Sequence, residues 1–194
     1  MKKNKDRKRQ CCGDIPFILA AVTGQPLVIL GSARKQGETR SLLNKVFADE
    51  TYELVDLLDF HISSYNYSNN YSDTDGFAKI IDKLLSHNVI VFATPVYWYA
   101  MSGLMKTFFD RFSDIVTTKK HLGRQLQGKS TFLLAVGADE ELPYGFEIPF
   151  KLTSEYLDMK YEHCIYYSTK FPETEERLQE VIQVFKDKIK STYG

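Results

Sequence analysis

The chain has 194 residues, of which 43% are hydrophobic and 26% charged, with a formal net charge of zero. That size and composition suit one globular domain with a core of its own. The zero hides an asymmetry, because residues 1–10 hold six of the 25 basic groups and one of the 25 acidic ones, leaving −5 on residues 11–194. A mildly acidic body gives no footing for nucleic acid, and no stretch reaches the ~18 apolar residues of a membrane span. Neither kind of partner is expected. Cys11, Cys12 and Cys164 show no CxxC spacing and no even framework, so structural disulfides and metal clusters are disfavoured. His61, His87, His121 and His163 are scattered without an HxxxH pair and read as satisfied surface or core residues.

In chain order, the start joins a basic run to a short apolar stretch, Ile15 to Val22. It imitates a signal peptide only in part, since Asp14 and Pro16 lie at its edge and no clear small-x-small site follows. Residues 1–25 read as a flexible basic tail, residues 26–194 as the folded domain, and the location as cytoplasmic. Pro26–Leu30 is a continuous apolar run, as in a strand buried on both faces. A Gly/Ser/Lys-rich loop follows, then a helix from about Thr39 to Ala48. The second strand falls near Tyr52–Leu57, a polar stretch at His61–Asp75, and a helix at about Gly76–Ser86.

Asn88–Ala93 is the third strand. The helix after its loop, about Gly103–Ile115, repeats Met105, Phe109 and Phe112 at core spacing. Ser130–Val136 and Tyr161–Tyr167 are the fourth and fifth strands. The last helix, about Glu173–Lys190, sets Leu178, Val181, Ile182, Phe185 and Ile189 on one stripe. Strands alternating with helices predict an α/β doubly wound, five-stranded parallel sheet with helices on both faces. Right-handed crossovers favour the order 2-1-3-4-5. In that order the loops after strands one and three flank the switch point where a ligand sits.

The first of these loops runs from Gly31 to Leu43. It opens a helix, whose first turn offers unpaired N–H groups and a partial positive charge. Ser32, Thr39 and Ser41 supply hydroxyls, with Thr39 also available as N-cap, and Arg34, Lys35 and Arg40 supply cationic donors. The loop has neither G-x-G-x-x-G nor G-x-x-x-x-G-K-[ST], so a monophosphate ester fits better than a dinucleotide or a nucleoside triphosphate. A polar connection with ordinary capping is the plainer alternative.

The second loop, Thr94-Pro-Val-Tyr-Trp-Tyr-Ala-Met-Ser-Gly103, places three aromatic residues in a row at the mouth of the sheet. Pro95 stiffens the strand exit and Gly103 admits close contact. Such a segment can offer backbone polar groups and aromatic faces to a flat heterocycle. Packing of Tyr97, Trp98 and Tyr99 against a second subunit is the alternative, and the two are compatible. Asp110 and Arg111 read as an ion-pair or cap network.

Together, Gly31-Ser-Ala-Arg-Lys-Gln-Gly-Glu-Thr39 and Thr94–Arg111 resemble the NADPH-dependent FMN reductases of the flavodoxin-like superfamily, over about Pro26 to Gly194. The resemblance implies a flavodoxin-like fold with FMN as cofactor and NAD(P)H as co-substrate. It implies that Ser32, Arg34, Gly37, Thr39 and the backbone of Glu38 bind the phosphate. Pro95, Val96, Tyr97 and Trp98 would contact the isoalloxazine ring, and the loop at Gly137–Asp139 would close the far side. Relatives with an iron–sulfur cluster carry cysteines after the second strand, where His61–Asn70 has none.

In such an enzyme the flavin carries the reaction, so no acid, base or nucleophile is assigned. NAD(P)H would reduce the flavin, and a quinone, nitro or azo compound, metal ion or free flavin would take the electrons. A homodimer is expected. The competing reading is a flavodoxin-type electron shuttle, disfavoured by Arg34, Lys35 and the modest body charge. A phosphoacceptor receiver fails because Gly31-Ser32 and Thr94-Pro95 stand where acidic groups are required.

Overall fold

The computed structural model describes residues 24–193. Most of the expected tail, residues 1–23, lies outside the described residues. Three long strands and two short ones, all parallel, are ordered β2-β1-β3-β5-β6: β1 Leu27–Leu30, β2 Glu53–Asp56, β3 Val89–Tyr97, β5 Ser130–Gly137 and β6 Lys160–Ser168. This is the expected 2-1-3-4-5 arrangement of parallel strands. A sixth strand, β4 (Ala100–Met101), pairs antiparallel with the end of β3.

The sheet is buried on both faces, and the two-residue period of a strand sorts its side chains between two cores. Leu27, Ile29, Ile90, Phe92, Leu133 and Ala135 face one side, against α2 (Phe77–Leu85), α3 (Gly103–Asp110), α4 (Phe112–Thr117) and α6 (Ile148–Tyr156). Val28, Leu30, Val89, Val91, Phe132 and Leu134 face the other, against α1 (Glu38–Val46) and α7 (Glu175–Ser191). The stripe expected on the last helix holds: Leu178, Ile182, Phe185 and Ile189 are buried and Val181 packs at the edge.

Three local expectations change. The segment after the third strand is not simply a loop. β3 continues through Pro95 to Tyr97 and turns back into β4, with Val96 opposite Met101 and Tyr97 opposite Ala100. Pro95 sits inside β3, paired with Val136 of β5. Its missing N–H costs no ladder bond. Ala93 accepts from Gly31 on the β1 side at 2.8 Å, so Pro95, two residues on, faces the same side, where β1 has already ended.

The helix expected over 103–115 breaks at Arg111 into α3 and α4, and a single-turn α5 (Lys120–Gly123) follows. The Arg111 guanidinium donates from Nη1 to Asp75 Oδ2 (2.8 Å) and the Ser63 carbonyl (3.0 Å), and from Nε to Asp114 Oδ2 (2.7 Å). It also lies 3.5 Å from the centre of the Tyr71 ring. Asp110 pairs instead with Lys106. Arg111 therefore pins the polar 61–75 stretch against the helices. Finally, α6 occupies residues for which the sequence suggests no element; it is short and starts on a proline, Pro149, in its first turn.

Candidate functional site

Both loops singled out in the sequence meet at the carboxyl ends of β1 and β3. A cavity of about 430 Å³ lies there, within the ~300–1,000 Å³ range of ligand clefts. From the first loop, Ser32, Arg34, Gly37, Glu38 and Thr39 line it; from the second, Pro95, Val96 and Tyr97. Gly137 completes it from the end of β5, beside Val136, Ala138 and Thr169. Trp98 stands apart from this wall, almost fully exposed at the hairpin tip.

The polar end is built around the start of α1. Gly37, not Thr39, is its N-cap, and no side chain caps it. The first-turn N–H groups are thus left for an anion, with the helix dipole adding to the attraction. Ser32 is buried; its hydroxyl donates to the Arg34 carbonyl at 3.2 Å and so folds the loop back on itself. Thr39 is also buried, and its hydroxyl has no partner among the described residues.

The three cations of this loop divide. Lys35 is bonded to Asp59 and lies 3.7 Å from Asp56 Oδ2; the Asp59 hydrogen bond raises its pKa. Arg40 reaches the same buried Asp56 at 3.1 Å. Arg34 forms no ion pair among the described residues and lines the cavity. It is the cation left to meet a phosphate.

The other end is apolar and made largely of backbone. Gly137 is dictated by contact: a Cβ there would stand 2.6 Å from Tyr166 Oη. That hydroxyl donates to the Asp139 carbonyl at 2.8 Å and holds the loop after β5 in place. Thr169, which the sequence does not single out, donates from its N–H (2.8 Å) and hydroxyl (3.0 Å) to the Gly137 carbonyl. No carboxylate, imidazole, amine or thiol lines this end.

The donor set fits a flavin monophosphate. An uncapped helix start with Arg34, Ser32 and Thr39 suits a dianionic ester. The slot between Pro95–Tyr97 and Val136–Ala138 suits a flat ring.

At the hairpin tip, Trp98 (φ 48°) and Tyr99 (φ 63°) are both left-handed. Two such residues between paired strands make the mirror-image turn that matches strand twist, a position that favours Asn-Gly. Bulky side chains cost about 1–2 kcal/mol each there.

Among the described residues, no group of three His, Cys, Asp or Glu is placed to hold a metal ion. No helix among them is long and apolar enough to cross a membrane. Cys164 is half-buried on β6, and burial pushes its thiol pKa up.

Comparison with known proteins agrees with this geometry. YwqN of Bacillus subtilis (strain 168), whose provisional name is NAD(P)H-dependent FMN-containing oxidoreductase, is 36% identical over 67 residues. That match covers 34% of this chain and 37% of YwqN, so it spans little more than a third of that relative's length. Among solved structures, the Trp repressor binding protein of Bacillus subtilis superposes with a TM-score of 0.66 at 22% identity, covering 86% of this chain and 97% of that one. An FMN-dependent NADH-azoreductase of Bacillus anthracis, solved with FMN, gives 0.62 at 11% identity, covering 88% and 100%. These likenesses carry the fold. The model of the NADPH-dependent FMN reductase family matches residues 26–142, and the chain belongs to that family.

Proposed function

We propose that the chain is an FMN-dependent oxidoreductase that takes reducing equivalents from NAD(P)H and delivers them to a small acceptor such as a quinone, nitro or azo compound, metal ion or free flavin. The observation that carries this reading is the single cavity shared by the two loops, with an unpaired arginine and an uncapped helix start at one end and an apolar slot at the other. Family membership and the FMN-containing name of YwqN support it.

When bound, FMN supplies the hydride-accepting and electron-releasing chemistry. The chain's residues hold and orient it. Arg34, Ser32, Gly37, Thr39 and the Glu38 N–H bind the phosphate, an arrangement strengthened by charge-assisted hydrogen bonds. Pro95, Val96 and Tyr97 support the ring with backbone and apolar surface, and Val136 and Gly137 shield it from water opposite. Tyr99, next to Trp98 on the hairpin tip, lines the outer side, where a second substrate enters. The ring end is lined by Pro95, Val96, Tyr97, Val136, Gly137 and Ala138, so these residues hold and shield the ring.

The folded unit is taken as residues 26–194 behind a basic tail, acting in the cytoplasm without a nucleic-acid or membrane partner. A homodimer is proposed, supported by exposed Ile148, Leu152 and Tyr156 on α6, beside an apolar groove that also takes in Phe109 and Phe112. The test is the visible spectrum of the purified full chain. Yellow protein bleached by NADPH or NADH under anaerobic conditions is expected; colourless protein that ignores added FMN, or loaded protein that neither nicotinamide reduces, overturns the reading.

A further inference from the structure

Beyond the flavin slot lies a second cavity, of about 580 Å³, whose walls include Tyr99, Asp139, Glu140, Glu141 and Tyr144. It continues the first along two stretches of chain. Tyr97 lines the inner cavity and Tyr99 the outer; Ala138 lines the inner and Asp139 the outer. The outer cavity is therefore the mouth of the proposed site. Its floor is held, since the Asp139 carbonyl is bonded to Tyr166 Oη.

Two features of the mouth point to one class of occupant. Its aromatic faces are open: Tyr144 is fully exposed, and Tyr99 stands on the left-handed hairpin tip beside Trp98. Its charge has a single sign, because Asp139, Glu140 and Glu141 are all exposed and none forms an ion pair among the described residues. Tyrosine and tryptophan faces attract cations through the ring quadrupole, and three unpaired carboxylates favour the same charge. The cleft is thus polarised, with Arg34 at the phosphate end and carboxylates at the entrance.

We propose that this mouth selects aromatic cations, which makes positively charged aromatic compounds the preferred acceptor class. The inference rests on the proposed function for the identity of the site, but the binding it describes is independent of turnover. At roughly 8 Å in water each carboxylate changes the affinity of a monovalent ion about twofold. Three together favour a cation over a neutral analogue by about tenfold, and over an anionic one by about a hundredfold, at low salt. The same charges oppose the phosphates of a nicotinamide dinucleotide, so one neutralising substitution shifts the two classes in opposite directions.

The sequence contains one tryptophan, Trp98, which adjoins the cavity-lining Tyr99 on the hairpin tip and serves as a fluorescent probe beside the entrance. Quenching of its fluorescence is titrated on the full chain, with and without FMN, using 4-nitrobenzyltrimethylammonium, 4-nitrobenzyl alcohol and 4-nitrobenzoate. We expect the cation to bind about tenfold more tightly than the alcohol, and about a hundredfold more tightly than the anion, at low ionic strength. The order collapses in 0.5 M salt and in the triple variant Asp139→Asn, Glu140→Gln, Glu141→Gln. Equal affinities, or a preference that survives both treatments, overturn the proposal. Failure of the flavin to bleach with either nicotinamide would instead sink the oxidoreductase reading and leave the charge preference standing.

Discussion

Ser102 Oγ donates a 2.5 Å hydrogen bond to the carbonyl of Gly31, and so ties the two loops of the candidate site together. The same hydroxyl accepts from the Met105 N–H at 3.1 Å and caps α3, while the Ser102 N–H donates to Thr94 Oγ1 at 3.1 Å. One small side chain thus sets the start of a helix and the spacing of the cleft. Ser102→Ala should lose about 1–2 kcal/mol of stability, the cost of a cap and of an orphaned buried carbonyl. It should also weaken FMN binding although Ser102 does not line the cavity. Urea denaturation and fluorimetric flavin titration measure the two effects.

Arg34 and Lys35 are adjacent and carry the same charge, yet only Arg34 lines the cavity; Lys35 is engaged by Asp59. Arg34→Ala should weaken FMN by about tenfold or more, the scale of a hydrogen bond to a charged group, with the loss shrinking as salt rises. Lys35→Ala should change FMN affinity by less than about threefold, since Lys35 is held by Asp59 outside the cavity and acts on the phosphate only through screened solvent. Equal losses in the two variants would refute this division of the cations.

Gly137 has no room for a side chain because of the Tyr166 phenol, its hydroxyl above all. Gly137→Ala would bring its Cβ to 2.6 Å from Tyr166 Oη, and overpacking of this kind costs about 1–3 kcal/mol. Adding Tyr166→Phe removes the offending atom. The double variant should be more stable than the two single losses predict, a coupling that thermal or urea unfolding of all four proteins would detect.

The hairpin tip trades stability for exposed rings. Trp98→Asn with Tyr99→Gly supplies residues suited to two successive positive φ angles, and should raise stability by about 1–3 kcal/mol. It should also slow turnover of aromatic acceptors, because the rings over the open side are gone. A rise in melting temperature with unchanged acceptor kinetics would show that the rings have no part in the site.

Asp75 gives the fold an acid-sensitive clamp. Burial by itself would raise its pKa. The Arg111 guanidinium and the N–H groups of Ser63 and Phe77 outweigh that and hold the carboxyl below its ordinary value of 3.8. A carboxyl depressed in the fold adds stability above its unfolded pKa, and that stability is lost as pH falls through the folded value. Stability should therefore decline below about pH 4. Asp75→Asn should lower stability at neutral pH, since it leaves a buried charge short of a partner, and should flatten the acid limb measured by urea denaturation from pH 3 to 7.

Much of this was legible in the sequence because the signals are local. Pro26–Leu30, Asn88–Ala93 and Ser130–Val136 are apolar without interruption, as strands covered on both faces must be, and connection rules then place the two loops side by side. Nine of the ten residues expected to hold FMN line one cavity. Only the tertiary structure decided the rest, because it depends on partners distant in the chain. Thr169 joins the cleft through Gly137, 32 positions away; Lys35 and Arg40 are drawn off by Asp56 and Asp59 of the neighbouring strand end. Trp98 and Tyr99 turn where no Asn-Gly announces a hairpin, and α6 packs where a proline start and a short length hide its period. Residue type and spacing determined where a phosphate and a flat ring could sit. Which cation remains free to meet the phosphate, and which charges guard the entrance, follow from ion pairs and cavities that exist only once the sheet has assembled.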